Sequence, residues 1–385
     1  MHQLKEKFPG ASASNEAWQH NKYQLKTILH HRVVQGLDHN RLCVSLEINQ
    51  HTYSPALQFE IVKRADVFVV SSAQMRHFLL ISEACLLINR HMRWRKVTLL
   101  GVGLLGGSLG MALRRRELAE WVHGYVRREA SVRECLEVGA ADRASTNLFE
   151  AVKGAELIVL CTPLAQMSGL ARSALNDIAP GVLVTDVGSV KGQLVAELEP
   201  LFAGRDAMFI GSHPMAGSEK MGVSAARPDL FHNAVCVVTP TSKSPREYVS
   251  RTEDLWKSVG ARTLQLTPEV HDELVARSSH LPHVLAAHLA RYVLDAGRAK
   301  ELSQLCANGF RDSTRIASGS PEMWRDIVMM NKEALKQALA EYQQSLKRFE
   351  MLLDHDDQRQ VEAFFLSAKQ LRDEWAAKCA SPSPE

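Results

Sequence analysis

The chain has 385 residues, of which 45% are hydrophobic and 23% charged, so it is long enough for two or three globular domains. Its 46 basic and 43 acidic side chains give a formal net charge of only +3, which excludes a strong field for nucleic acid or an anionic membrane. Seven cysteines without a C-x-x-C pair fit reduced thiols, and hence a cytoplasmic location, better than disulfides or structural zinc. The longest apolar run, residues 78–88, is too short to span a bilayer.

Residues 1–91 form a first compositional zone without a pattern that points to chemistry. We expect a helix near 16–32 and strands near 42–48 and 66–70. The zone is interpreted as an N-terminal extension of unknown role, and Met92 is a plausible alternative start of translation.

Apolar strands alternate with amphipathic helices between residues 92 and 267, which predicts a doubly wound, mainly parallel α/β sheet with helices on both faces. The predicted strands are 96–101, 122–126, 157–161, 182–187, 207–211, 234–239 and 262–266. The predicted helices are 105–116, 129–138, 164–178, 191–202 and 245–259. Ligands of such sheets bind at the carboxyl ends of the strands, so candidate site residues are sought there.

The first strand runs into a glycine-rich turn that opens a helix, with the G-x-G-x-x-G spacing of a dinucleotide site. Gly101 permits the tight turn, Gly103 lets the backbone approach the pyrophosphate, and Gly106 lets the helix pack on the strand. The pyrophosphate would bind the amides at the helix N-terminus, which begins at Leu104 and Leu105. This pattern predicts a nicotinamide or flavin cofactor.

Two further strand ends are candidate cofactor contacts. Thr162 and Pro163 follow the strand at 157–161, in a turn able to lie against the cofactor ribose. Asp186 ends the strand at 182–187, and Ser189 follows it near a helix start, where a simple N-cap would explain a serine equally well.

His213 follows the strand at 207–211, in a loop framed by proline and glycine beside the predicted nicotinamide position. An imidazole there is a candidate general base, because its ordinary pKa near 6.5 lets it accept a proton near neutrality.

Residues 268–376 predict an all-helical region. His280 and His283 would share a helix face, but we expect no metal because no third ligand follows at suitable spacing. Arg311 and Arg315 suit a carboxylated substrate, since guanidinium binds carboxylate in bidentate fashion. Surface ion pairing is the alternative, which we favour for one of the two arginines only.

Apolar residues recur at spacings of four and three later in this region, as in a helix packed along another helix. An intrachain bundle and a dimer interface both explain the pattern, and we expect residues 377–385 to be disordered. The recurring residues are Leu335, Leu339, Tyr342, Leu346, Phe349 and Leu353.

Five motifs in order resemble the prephenate/arogenate dehydrogenase family of tyrosine biosynthesis. They are the glycine turn, Asp186-Val-Gly-Ser-Val-Lys191, His213-Pro-Met-Ala-Gly217, Ser279-His-Leu-Pro-His283, and Phe310-Arg-Asp-Ser-Thr-Arg-Ile-Ala317 with Met323-Trp-Arg-Asp-Ile327. The resemblance covers about residues 93–350. It implies a Rossmann-type domain followed by an all-helical dimerisation domain, and a homodimer formed through the C-terminal helices.

The resemblance also implies an activity, the oxidative decarboxylation of a cyclohexadienyl acid with hydride transfer to NAD(P)+. By position, His213 matches the catalytic histidine that takes the ring hydroxyl proton, and Ser189 matches the serine that orients it. Arg315 matches an arginine that grips a substrate carboxylate, and His283 matches a histidine near the substrate side chain. A surrounding ionic and gating network is matched by Asp272, Arg311, Asp312 and Trp324.

The sequence departs from the family pattern at the end of the second strand. Val126 stands where NAD-using members carry an aspartate for the ribose 2′-hydroxyl, and Arg127 and Arg128 follow it. Two guanidiniums suit a 2′-phosphate, so we expect NADP, or dual use, over strict NAD. Neither a chorismate mutase nor an ACT module is recognisable, so any feedback by tyrosine would act at the active site.

Three alternatives remain at this point. Prephenate is the expected substrate because His283 could donate a hydrogen bond to its keto group, and arogenate is the alternative. A β-hydroxyacid or imine reductase shares the layout but leaves His213 and Arg315 unexplained. A catalytically silent cofactor-binding sensor is disfavoured by the retention of Ser189 together with these residues.

Overall fold

The computed structural model describes residues 41–46, 57–64, 67–69, 94–218, 220–295, 297, 299–355 and 357–380. The chain divides into two compact units, Met1–Asn89 and Arg90–Glu385.

The first unit contains a three-stranded antiparallel sheet of β1 (Arg41–Leu46), β2 (Leu57–Arg64) and β3 (Val67–Val69), in that order. β1 and β3 overlap two predicted strands, whereas the sequence does not predict β2. The helix expected near 16–32, and Met92, lie outside the described residues.

A six-stranded parallel sheet forms the centre of the second unit. Its strands are β4 (Trp94–Leu100), β5 (Ala119–Tyr125), β6 (Arg143–Ser145), β7 (Leu157–Leu160), β8 (Leu183–Asp186) and β9 (Met208–Phe209). The spatial order is β6-β5-β4-β7-β8-β9, so the direction of winding reverses between β4 and β7. In sheets of this kind a crevice opens at that reversal, beyond the carboxyl ends of the two strands.

Helices cover both faces of this sheet, so its central strands are buried on both sides. The helices are α1 (Leu104–Arg115), α2 (Glu129–Glu137), α3 (Leu148–Val152), α4 (Leu164–Ala174) and α5 (Gly192–Ala203). Leu109 and Leu113 of α1 pack on one face, and Met167 of α4 and Phe202 of α5 pack on the other. The expected doubly wound α/β fold is confirmed, although β6 and α3 are not among the predicted elements.

A second, three-stranded sheet corrects the prediction of one continuous sheet. It contains β10 (Gly211–Pro214), β11 (Val235–Thr239) and β12 (Arg262–Gln265), with α6 (Arg246–Ser258) between the last two. β10 is antiparallel to β11, and β11 is parallel to β12. The chain leaves the parallel sheet because Ile210 N–H still donates to Val184 O, whereas Ser212 N–H donates to the Asp186 side chain.

Beyond Thr267 the described residues form helices and no strand, as predicted. They form α7 (Pro268–Val275), a π-helical turn (Ala276–His280), α8 (Leu281–Leu294), α9 (Ala299–Leu305), α10 (Asn308–Thr314), a 3₁₀ turn (Arg315–Ser318), α11 (Pro321–Met330), α12 (Lys332–Asp354) and α13 (Gln358–Ala380). The Thr267 hydroxyl caps α7 and Pro268 occupies its first turn, which fixes where the helical region starts. Among the helices that the structure describes, none is long and apolar enough to cross a membrane.

The predicted disordered tail is wrong for residues 377–380, which continue α13. Alanines at 376, 377 and 380 favour the helix, since alanine has the highest helix propensity. Residues 381–385 lie outside the described part of the chain.

Candidate active site

The glycine turn lies at the crevice between β4 and β7. Gly101 has φ +97°, and a Cβ there would come within 2.8 Å of the Thr162 side chain, so both the turn and the close approach require glycine. A Cβ on Gly106 would lie 2.3 Å from the carbonyl oxygen of Gly101. At Gly103, by contrast, a Cβ would meet none of the described atoms within 4 Å. The turn is therefore packed on the protein side and open at Gly103.

The open side of the turn fits a dinucleotide. α1 begins at Leu104 without a side-chain cap, so its first amides have no intrahelical acceptor and can bind an anion. The buried Thr162 Oγ1 has no hydrogen-bond partner among the described residues, and Pro163 follows it as the N-cap residue of α4. Thr162 and Pro163 lie between the end of β7 and the start of α4, at the edge of the sheet where the sequence predicts cofactor contacts.

Two exposed arginines follow β5 at the same edge of the sheet. Val126 is buried, and Arg127 and Arg128 project into solvent. Arg128 begins α2 as its N-cap residue, and its guanidinium donates to Ser131 Oγ at 3.1 Å. The described part of the chain supplies no carboxylate partner to either guanidinium, so both remain available to an anionic ligand.

Asp186 does not fit the cofactor contact expected from the sequence. Its side chain is fully buried and paired with the fully buried Lys191 ammonium. The same carboxylate accepts N–H groups from Gly188 at 2.7 Å and from Ser212 at 3.0 Å. With both oxygens engaged inside the protein, Asp186 instead holds the end of β8 against the start of β10.

His213 lies in β10, buried, at the edge of the second sheet. Burial lowers the pKa of its imidazole well below the ordinary value, and the nearby His271, Lys191 and His280 lower the pKa further. Its Nδ1 lies 2.9 Å from His271 Nε2. Its Nε2 has no hydrogen-bond partner within the described part of the chain, so this nitrogen can accept a proton from a ligand.

His271 and Asp272 extend this contact into the helical region. His271 is fully buried on α7, and its Nδ1 lies 2.8 Å from Asp272 Oδ1. Asp272 also accepts backbone N–H groups from Lys191 at 2.8 Å and from Gly192 at 2.7 Å, at the start of α5. Asp272 is among the residues that match the family by position, whereas no sequence motif identifies His271, whose partner His213 is 58 residues away along the chain.

His280 closes the π-helical turn and is almost completely buried. Burial lowers its pKa to about 4, and the nearby His271 and His283 also lower it, against the opposing effect of Asp272. The Asn331 amide contacts His280 Nδ1 at 3.1 Å and donates to Asp272 O at 2.8 Å. π-helical turns occur frequently at functional sites, and His280 is the last residue of this one.

His283 lies on the next turn and stacks on Trp324, with ring centroids 3.7 Å apart. Burial lowers the pKa of His283, and the nearby Arg315 guanidinium also lowers it. Its Nδ1 lies 2.9 Å from the carbonyl oxygen of Ser279 and must donate there, because a carbonyl only accepts. The neutral ring is thus an acceptor at Nε2, which corrects the expectation that His283 donates to a keto group.

Four histidines are here called the histidine row, namely His213, His271, His280 and His283. His213 contacts His271, the nearby His271 and His283 lower the pKa of His280, and the nearby Arg315 lowers the pKa of His283. Arg311 does not enter the histidine row: the side chain is 72% exposed and pairs with Asp312 at 3.4 Å. Surface pairing, the alternative weighed for one arginine, therefore describes Arg311. Ser189 is half-buried in the loop whose next residues bring Lys191 N–H to Asp272.

Comparisons with known proteins agree with this geometry. Residues 109–265 match the family model described as prephenate dehydrogenase, nucleotide-binding domain, and residues 267–367 match that of its dimerization domain. The chain is 33% identical to prephenate dehydrogenase of Bacillus subtilis (strain 168) over 279 residues, which cover 72% of this chain and 75% of that protein. The chain belongs to the prephenate dehydrogenase family. It is an oxidoreductase of that family.

Solved structures of family members share its fold. The prephenate dehydrogenase of A. aeolicus, in complex with hydroxyphenyl propionate and NAD+, superposes with a TM-score of 0.69 at 30% identity, over 73% of this chain and 98% of that one. The Synechocystis arogenate dehydrogenase superposes with a TM-score of 0.65 at 30% identity, over 73% of this chain and 99% of that one. Membership in the prephenate dehydrogenase family supersedes the reductase and silent-sensor alternatives.

Proposed function

We propose that the chain catalyses the oxidative decarboxylation of prephenate to 4-hydroxyphenylpyruvate, with hydride transfer to a nicotinamide dinucleotide. The observation that carries the proposal is His213, buried beside the coenzyme-binding fold with Nε2 unbonded among the described residues and Nδ1 held by His271. The glycine turn would hold the pyrophosphate of the coenzyme, and the coenzyme would supply the acceptor for the hydride that leaves the hydroxyl-bearing ring carbon. Loss of carbon dioxide then makes the ring aromatic.

His213 acts as the general base in this proposal. Its Nε2 accepts the proton of the ring hydroxyl as that oxygen becomes a carbonyl. Because burial lowers the pKa of His213 well below the ordinary value, the base stays unprotonated at neutral pH. We expect turnover to be lost only as the pH falls well below about 6.5, the ordinary pKa of histidine. Ser189, on the adjacent loop, is proposed to orient the ring hydroxyl.

The other end of the substrate lies against His283 and Arg315. Arg315 is exposed and close enough to His283 to lower the pKa of that ring, so its guanidinium can bind a substrate carboxylate there. Trp324 holds the His283 ring by stacking and closes one wall of the site. Arg311 and Asp312, being solvent-facing, are proposed to act only at the rim.

Arogenate remains the second candidate substrate on one specific observation. The neutral His283 ring presents an acceptor at Nε2, which suits the ammonium of arogenate better than the keto oxygen of prephenate. Prephenate would require either a protonated His283 or a bridging water.

We propose NADP as the preferred coenzyme, or use of both coenzymes. Gly101, Gly103 and Gly106 with the amides at Leu104 and Leu105 would hold the pyrophosphate. Thr162 Oγ1 and Pro163 would face the ribose and nicotinamide side. A 2′-phosphate would lie near the exposed side chains of Arg127 and Arg128, which carry positive charge. The residue before them, where an aspartate would repel the phosphate, is the buried Val126.

We propose a homodimer formed through the C-terminal helices. Leu335 of the predicted seam is buried inside the chain, whereas Tyr342, Leu346 and Leu353 are 37%, 52% and 54% exposed. An apolar stripe of this kind is typical of a surface covered by a partner. Light scattering is expected to give twice the chain mass, with Leu346→Lys shifting the population toward monomer and the solvent-facing Lys347→Ala as control.

Residues 92–267 and 268–376 are proposed as the coenzyme-binding and helical domains, and the cytoplasm as the location. Four described cysteines are free, which fits a reducing compartment. They are Cys135, Cys161, Cys236 and Cys306.

The decisive test is the initial rate of nicotinamide reduction with prephenate and with arogenate, each supplied with NAD+ or NADP+. We expect turnover with prephenate, and a higher kcat/KM with NADP+ than with NAD+. Turnover restricted to arogenate would transfer the proposal to that substrate, and no turnover in any combination would overturn it.

A further inference from the structure

We propose that His271 fixes the tautomer of His213 and so keeps Nε2 of that base unprotonated and turned to the substrate. His271 is then a positioning residue that touches no reacting atom. The inference rests on the proposed function for its consequence in catalysis, but the tautomer itself is a property of the protein alone.

Asp272 accepts a backbone hydrogen bond at each of its two carboxylate oxygens. The backbone N–H groups of Lys191 and Gly192 reach one oxygen each, at 2.8 and 2.7 Å. A backbone N–H can only donate, so both carboxylate oxygens act as acceptors. His271 Nδ1, 2.8 Å from Oδ1, must therefore carry a hydrogen and donate it to Asp272.

This hydrogen bond determines whether the other nitrogen of His271, Nε2, donates or accepts. A neutral imidazole carries one N–H, so with Nδ1 protonated its Nε2 is an acceptor. His213 Nδ1, 2.9 Å away, must then donate to it. By the same rule the remaining nitrogen of neutral His213, Nε2, has a free lone pair, which is the form that a general base needs.

Burial makes the chain of bonds obligatory. His271 is completely buried, so no solvent is available to replace either of its hydrogen bonds. The rings of His213 and His271 meet edge to face, with centroids 5.1 Å apart, and the hydrogen bond between them joins Nδ1 of His213 to Nε2 of His271. The reversed arrangement would place the lone pair of His271 Nδ1 against Oδ1 of Asp272, so that two acceptors would face each other without a hydrogen between them.

The same bonds assist the reaction itself. When Nε2 of His213 receives the proton, the ring becomes an imidazolium and its Nδ1–H becomes a stronger donor to His271. The Asp272 carboxylate, one imidazole further on, offsets the new charge in a region where Lys191 and His280 disfavour it. The helical region thus supplies His271 and Asp272, which prepare the base His213 on β10.

Two substitutions separate the two hydrogen bonds of His271. An asparagine ends at the position of Nδ1, so His271→Asn keeps the contact with Asp272 and loses the one with His213. A glutamine ends at the position of Nε2, so His271→Gln can still accept from His213. We expect His271→Asn to lower kcat about 10²-fold with little change in KM, and His271→Gln to recover at least about tenfold of that loss.

The tautomer is read directly by nitrogen NMR of protein labelled with ¹⁵N-histidine at neutral pH, where His213 is neutral. The spectrum of His213→Asn identifies the signals of that ring. We expect a protonated Nδ1 and an unprotonated Nε2 in the native chain and in His271→Gln, and a shift of the proton toward Nε2 in His271→Asn.

A proton on Nε2 of His213 in the native chain would overturn the inference whatever the activity. Equal losses of turnover in both His271 variants, with an unchanged His213 tautomer, would also overturn it and leave His271 a packing residue. If no substrate is turned over but the tautomer behaves as expected, the proposed function fails and the positioning of His213 stands.

Discussion

The cofactor end and the substrate end of the site are built in opposite ways. At the glycine turn the protein offers backbone amides, an open space at Gly103 and exposed arginines. At the histidine row it offers three buried imidazoles and the half-buried His283, each with a hydrogen-bond partner. A dinucleotide can therefore dock on a preformed edge, whereas proton transfer depends on groups whose protonation is set by burial.

The largest expected effect comes from a substitution at the substrate end that leaves the cofactor end unchanged. His213→Asn removes the base but keeps a group of similar size, so turnover with prephenate should fall about 10² to 10⁴-fold. Coenzyme affinity, measured by fluorescence titration, should stay within about twofold because the glycine turn is untouched. A variant that binds coenzyme poorly would mean that the two ends are not independent.

The second effect is a pH dependence of stability that originates at the substrate end. His280 has a pKa of about 4 in the folded chain against an ordinary 6.5, so the unfolded chain binds a proton first as the pH falls. Folding stability should therefore drop between about pH 6.5 and 4, by about 3 kcal/mol for this group alone.

Urea unfolding of the native chain and of His280→Asn at several pH values measures this contribution. The variant should show the shallower dependence on pH, whatever its stability at pH 8. Parallel curves for the two proteins would assign the acid sensitivity to other groups.

The third prediction tests the cofactor end by comparing alanine substitutions at two glycines. Gly101→Ala meets a positive φ and the Thr162 side chain, so it should destabilise the fold by about 1–3 kcal/mol. Gly103→Ala has open space, so unfolding should change by less than about 0.5 kcal/mol. Its coenzyme affinity should nevertheless fall about tenfold, because the added methyl occupies the space proposed for the pyrophosphate. An unchanged affinity in Gly103→Ala would place the coenzyme elsewhere.

The smallest effect concerns coenzyme choice. Replacing Arg127 and Arg128 together by alanine should raise KM for NADP+ about fivefold, since ion pairs of exposed side chains contribute only about 0.2–1 kcal/mol each. KM for NAD+ should not change. Arg133→Ala, an exposed arginine on α2, is the matched control, and equal effects on both coenzymes would refute the role of the pair.

The same contrast explains what the sequence could predict. The glycine turn has a local signature, since its three glycines lie within six residues, and its pattern predicts α1 and the crevice correctly. The substrate end depends on contacts such as His213 to His271, across 58 residues, and no local pattern distinguishes His271 from a core histidine. A His-Asp pair one turn into a well-capped helix was the only local signal.

The errors have the same origin. Asp186 ends a strand where ligands bind, yet its partner Lys191 arrives from the next helix and takes the carboxylate inward. Residues 207–211 look like one strand, but the side chain of Asp186 diverts the chain into a second sheet at Ser212. In both cases a hydrogen bond of the Asp186 side chain, which the hydrophobic pattern of the strands does not show, determines the outcome.

Asp272 also limits how these enzymes can be recombined. Its side chain holds the start of α5, and its carbonyl holds Asn331 at the start of α12, so one residue links both halves of the unit at the site. A chimera joined at Thr267 would set the base of one parent against the histidine and aspartate of the other. To exchange substrate preference between relatives, the residues around Lys191 and His213 must therefore be transferred together with the helical half.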